Sequence, residues 1–430
     1  MSSRRGRGIA AAAVVLGLGA AGLAIALSGS SSARCAAVVG AADVPPVFAS
    51  LQAPVVRTDP NLQRLITAVQ GSGFGRVLGA VGYDQTHWLH SAAVPGGFAS
   101  WTADNAVIGF RDPAGRVRWG LRQSSDQQAW AVVGDKFLDL DLRPGRPLRV
   151  GAYAASDGSE RWCAQVARPT RSGEPLTVAR GAQGSVWVVT AGPTLSRLDA
   201  HGKVLNQKQA VGVDRGASVL QLGSLLVVGG RASHLLAAPD PTAPPPAHDA
   251  FAVTGFDVGS LGVRWRWGRG LTVHVLGAVG ESVVVEIAKP GGIQLVSLDL
   301  SGRPRWAVDL PAGTTADTAL RAGTVVVRSA RTLSGYDATS GAQRWTRPLP
   351  PSVAFPLGFD LAVQPSVGDR MLLGMTSGLV ILDPRTGRSS TYALPAGASA
   401  TFWPYETVVS ADSAIVETNA GAVLVALRPR

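Results

Sequence analysis

Short apolar runs, alternating or continuous, recur from about residue 75 to the end of the chain. Residues 185–190, 225–228, 282–287 and 325–327 are rich in Val, Ile and Leu. Each is bounded by Gly, Asp, Ser or Pro, which marks a strand and its turns. No stretch after residue 75 sustains a helical 3.6-residue period of useful length. Before it, residues 60–70 read as one short helix with Pro60 at its first turn.

The strands are organised by a repeat. An alternating strand ends in an aromatic residue or Leu, then comes Asp, a short turn with Gly, a basic residue and Trp. Copies start at Asp112, Asp257, Asp299 and Asp337 and reach Trp119, Trp265, Trp306 and Trp345, with turn glycines Gly115, Gly262, Gly302 and Gly341. A related copy runs from Tyr153 through Gly158 to Trp162, and weaker ones at Asp199 with Gly202 and Asp383 with Gly387 lack the Trp. Successive copies lie 38–46 residues apart, except for one gap of 58 that contains the Pro-rich residues 237–247. A period of about 40–50 residues marks a β-propeller. The expected fold is all-β: eight four-stranded antiparallel blades, with seven as the alternative. The last unit lacks an outermost strand, and residues 75–83 are expected to supply it, removing the free edges of an open ring. In each turn the Asp would accept backbone N–H groups and the Gly would take a positive φ. Each Trp would dock on the neighbouring blade, adding contact area and one N–H donor.

The turn Asp-x-x-[Ser/Thr/Ala]-Gly-x-x-x-Trp, clearest at residues 337–345 and 299–306, resembles the tryptophan-docking motif of the pyrroloquinoline-quinone (PQQ)-like β-propeller family. The resemblance spans about residues 75–430 and is specific for fold and poor for function. It implies either a quinoprotein dehydrogenase holding PQQ and Ca²⁺ or a propeller without cofactor, such as an outer-membrane barrel-assembly lipoprotein. The adjacent cysteine pair of many such dehydrogenases is missing, and no catalytic Asp beside calcium ligands is identifiable. The resemblance therefore carries over the fold and the docking tryptophans and no catalytic, cofactor or metal residue.

The N-terminus sets the compartment. Arg4, Arg5 and Arg7 precede residues 9–27, nineteen residues of Ala, Val, Leu, Ile and Gly. That is close to the roughly 20 needed to span a bilayer, and the basic flank keeps the first eight residues in the cytoplasm. The division expected is a cytoplasmic tail (1–8), a signal anchor or transmembrane helix (9–27), a linker with a short helix (28–74) and the propeller (75–430) outside the cytoplasm. Cleavage after residues 31–33, giving a secreted chain, is the alternative. Cys35 and Cys163 are the only cysteines; in an oxidising compartment they are expected to form a disulfide.

Composition adds exclusions. The 430 residues carry a formal charge of +11, with 16% charged residues and 52 Gly. Two cysteines exclude a disulfide-dense or iron–sulfur scaffold. The arginines are dispersed over the repeats, so nucleic acid is not the expected partner; anionic envelope groups suit the charge better. His87 and His90 lack a third zinc ligand. Asp139 and Asp141 share one strand face, read as a solvated face in preference to a glycosidase pair. The expected function is a membrane-anchored extracytoplasmic scaffold that binds a protein or ligand and is not an enzyme, the alternative being an exported PQQ-dependent oxidoreductase. The partner is expected on the irregular face carrying residues 237–247 and the blade-to-blade connections at 309–315 and 347–351.

Overall fold

The computed structural model describes residues 35–71, 75–82, 89–102, 107–122, 128–143, 146–166, 177–190, 194–209, 218–229, 251–289, 292–311, 317–330, 332–349, 361, 366–367, 369–375, 378–393, 409–410, 413–418 and 421–427. Residues 1–34 lie outside this set, and with them the expected anchor; no described helix is long and apolar enough to cross a membrane.

The described residues from Ala36 onward form eight antiparallel sheets, which run outward in chain order except where an N-terminal strand is added at the outer edge of two of them. We number them as blades 1–8 from the sheet that begins at Leu89–Val94. First strands of successive blades lie against one another from blade 1 to blade 6, from 7 to 8, and from 8 back to 1. Blades 6 and 7 meet through Trp345, Met371, Leu373 and Leu382. The circle is closed, and eight blades replace the alternative of seven.

Burial explains the strand patterns. Second strands such as Val186–Val189, Leu225–Gly229 and Ser282–Lys289 are wedged between neighbouring blades and are buried on both faces over most of their length. Their sequence is accordingly a nearly continuous apolar run. Outermost strands such as Val263–Arg269 and Pro304–Asp309 sit where blades diverge, and are largely exposed. The core is a series of inter-blade clusters, for example Val227, Val253, Val275 and Val285 between blades 4 and 5.

Closure follows the expected route. Gly75–Gly82 pairs antiparallel with Gly421–Leu427 and completes blade 8 as its outermost strand. The helix Pro60–Gly71 has Asp59 at its start, whose side chain accepts the N–H groups of Asn61 and Leu62. Its apolar face (Leu62, Leu65, Ile66, Val69) packs on Val77, Val423 and Val425. One feature differs from the sequence reading. Residues 28–74 were expected to be a linker, yet Ala37–Gly40 joins blade 1 as a fifth strand, paired with residues 119–122. The pattern Ala-Val-Val-Gly is too short to announce a strand alone; an unpaired neighbouring edge is what recruits it. Cys35 and Cys163 are disulfide-bonded, which fixes this segment to the outer strand of blade 2, Glu160–Gln165.

Candidate functional site: turns, inter-blade carboxylates and outer rim

The turns between third and fourth strands form one array. Asp299 Oδ1 accepts the N–H groups of Ser301 and Arg303 at 2.8 and 2.9 Å, and Asp337 Oδ1 those of Thr339 and Ser340. Asp112, Asp199, Asp257 and Asp383 accept in the same way. These bonds favour the carboxylate. The Ser260 N–H and the Arg264 guanidinium bring Asp257 down to about 2, and the Ser301 hydroxyl and Arg303 N–H lower Asp299. Gly115, Gly158, Gly202, Gly302, Gly341 and Gly387 all have φ between +67° and +84°. In blade 4 the left-handed position falls to Leu261 (φ +52°), not to Gly262. Leu261 is buried in the apolar cluster between blades 3 and 4, which offsets the strain of a side chain at positive φ.

Each described Trp of the repeat lies over the next blade's turn. Trp119 sits above Gly158, Trp162 above Gly202, Trp265 above Gly302, Trp306 above Gly341 and Trp345 above Gly387; a Cβ on any of these glycines would come within 3 Å of the indole. The indole N–H groups of Trp119, Trp265 and Trp345 donate to the carbonyls of Ala155, Leu300 and Pro384. The fourth strand of blade 3 has no Trp, and Asn206 stands in the docking register. The Asn206 amide donates to Val258 O at 3.1 Å and to Gly259 O at 3.0 Å, while Lys208 Nζ reaches Leu261 O. An amide thus bonds the same turn position that the indoles use elsewhere. The sequence carried a signal for this, Asn seven residues after Asp199, as Trp306 follows Asp299. Arg111 was also missed. It is buried, donating to Ser100 Oγ, Pro45 O and Gly115 O, and so holds the N-terminal segment against blade 1; burial lowers it to about 10.

At the opposite end of the blades lie buried ionisable groups. Asp139 and Asp141, expected on a solvated face, are only 2% and 7% exposed. Alternation was read correctly, but on a second strand both faces meet a neighbouring blade. Asp141 pairs with Arg143. Asp139 lies opposite Trp130 and Gly151 in the sheet. Desolvation and then the Asp141 charge push it up to about 7. Between blades 5 and 6, Thr318 Oγ1 donates to buried Glu286, whose other oxygen is 3.6 Å from His274 Nδ1. Asp317 pairs with Arg328 and accepts the Leu361 N–H.

The Asp139 shift sets a pH dependence. A carboxyl raised in the folded state binds more protons than in the unfolded chain between about pH 4 and 7, so stability falls as pH rises through that window. Asp139→Asn is expected to remove this slope and to gain on the order of 2 kcal/mol over the parent at pH 8, with no gain at pH 4. Denaturant unfolding at both pH values measures it, and equal differences at the two would refute it.

Among the described residues no group of three or more His, Cys, Asp or Glu side chains is placed to hold a metal ion. Among the described inter-blade carboxylates, Asp141 and Asp317 pair with arginines and Glu286 accepts from a hydroxyl; no step is derived through PQQ or Ca²⁺. His87 and residues 237–247 lie outside the described set, as do residues 312–315 and 350–351 of the blade-to-blade connections named for the irregular face.

Circular closure, antiparallel blades and Trp-over-Gly docking define the class: an eight-bladed β-propeller. Residues 249–402 match the family model described as outer membrane protein assembly factor BamB. Curated protein sequences give no match. Among solved structures, the computationally designed Ika8 protein is 13% identical with a TM-score of 0.52, over 80% of this chain and 98% of that one. BamB from Moraxella catarrhalis is 15% identical with a TM-score of 0.44, over 81% and 98%. Quinohemoprotein alcohol dehydrogenase ADHIIG from Pseudomonas putida HK5 is 12% identical with a TM-score of 0.48, over 86% and 83%. These similarities speak to the fold alone.

Proposed function

We propose that this chain is an extracytoplasmic, membrane-tethered propeller that binds a protein partner or envelope ligand as a scaffold, and that it catalyses no reaction. The observation that carries the reading is the disulfide between Cys35 and Cys163. Such bonds persist in oxidising compartments, and this one joins the ring to the segment that follows the apolar residues 9–27. The match of residues 249–402 to a barrel-assembly family points the same way. Among the described residues, the turn aspartates and the buried carboxylates Asp141, Glu286 and Asp317 are engaged in turns and side-chain pairs. Residues 9–27 serve as the tether, with the basic tail inside.

Crosslinking in intact cells, followed by membrane fractionation and mass spectrometry, tests this. A reproducible envelope partner in the membrane fraction supports it. Dye-linked alcohol or sugar oxidation on adding PQQ and Ca²⁺ to the purified protein would overturn it in favour of an oxidoreductase.

A further inference from the structure

Sheet edges are managed unevenly around this ring. The N-terminal segment covers two of them: Gly75–Gly82 completes blade 8 and Ala37–Gly40 caps blade 1. The outer edges of blades 3–7 carry no further strand among the described residues. Free edges are normally blunted by proline, shortness or charge. Blade 5's edge strand begins at Pro304, blade 6's ends at Pro348, and blade 7's is only five residues long.

Blade 4 differs. Its edge strand Val263–Arg269 is seven residues long, paired along its inner side from Arg269 opposite Phe251 to Val263 opposite Phe256, and contains no proline. It holds Arg264, Arg266 and Arg269 and no acid. Apolar side chains are exposed around it: Val263 at 45%, Leu271 at 43%, and Leu205 on the neighbouring edge at 48%. Arg266 is poised over the Phe251 ring, 5.5 Å from its centroid. The strand is braced on both sides, by Trp265 docked on Gly302 and by Asn206 and Lys208 bonded to the blade 4 turn.

We propose that the outer edge of blade 4 binds an extended acidic-apolar segment of a protein partner, which adds to the sheet as a fifth strand. Its backbone would take the unpaired edge groups, as in strand addition generally. A carboxylate of the added segment would face Arg266, the Arg264 guanidinium being already held by Asp257. Apolar residues would cover Val263 and Leu271. A lipid surface fits less well, because it offers no extended backbone to pair with the edge. The inference deepens the scaffold reading and rests on it.

The test uses the purified full chain and a terminally blocked octapeptide alternating valine and glutamate. Amide exchange in residues 263–269 is expected to slow about tenfold or more as peptide is added, which a reversible strand pairing would produce. The variant Arg266→Glu is expected to weaken binding at least about tenfold. Arg305→Glu, with the same change in net charge on blade 5, should leave it intact. N-methylation of alternate peptide amides should abolish binding. Protection elsewhere, indifference to N-methylation, or equal loss in both variants would overturn strand addition at this edge. So would association of phosphatidylglycerol vesicles that the blade 4 variant alone removes. None of these outcomes bears on whether crosslinking finds an envelope partner, so the two readings fail separately.

Discussion

Deleting residues 1–82 is expected to leave a chain that does not fold to a monodisperse monomer, whereas deleting residues 1–34 preserves the propeller. The larger deletion removes the outermost strand of blade 8 and the helix that packs on it. Val56, Leu62, Leu65, Ile66, Val69 and Val77 are buried in one cluster with Val423 and Val425. At about 1.5–3 kcal/mol each, their loss is comparable with the whole net stability of a typical domain, about 5–15 kcal/mol. What remains exposed is worse than a cavity. The strand Gly421–Leu427 reads Gly-Ala-Val-Leu-Val-Ala-Leu, uncharged and free of proline, and would become an open apolar edge, a template for intermolecular pairing. Size-exclusion chromatography and thermal unfolding of the two truncations decide the matter. A soluble, cooperative 83–430 chain would show that the ring does not depend on this closure.

Trp345→Ala is expected to cost about 3–5 kcal/mol, in the range of buried aromatic truncations. The indole is 7% exposed, lies over Gly387 and donates to Pro384 O at 2.8 Å. Gly387→Val should act from the other side of the same contact: φ is +67°, and a Cβ would stand 2.5 Å from the ring. The hydrogen-bond contribution can be isolated by comparing two phenylalanine variants. Trp345→Phe removes a made bond and leaves Pro384 O without its donor, at about 1–2 kcal/mol. Trp306→Phe should cost less, because the Trp306 N–H is buried without a partner among the described residues. Denaturant midpoints of the four variants test the order. If Trp306→Phe proved the more damaging, the role given to the indole N–H would be wrong.

Legibility followed the range of the physical cause. The turns were readable because an Asp that binds its own N–H groups and a glycine at positive φ act within five residues. Where a second solution existed, local reading slipped: at 257–262 the glycine was assumed to take the left-handed position, but Leu261 takes it and buries its side chain. The inter-blade carboxylates were misread for a different reason. Residues 136–141 show which side chains share a face, and nothing local says whether that face meets water or blade 1.

From the sequence follow a ring of eight or seven blades, their order, the strand that closes them and the only two cysteines, because each rests on a repeat count, a missing strand or a composition. The folded ring alone reveals that Asn206 replaces an indole, that Ala37–Gly40 caps blade 1, that Asp139 is held out of water, and that the arginine-bearing edge of blade 4 carries no further strand among the described residues. Those outcomes depend on which surfaces neighbouring blades bring together, and that is a property of the closed ring and of no single segment.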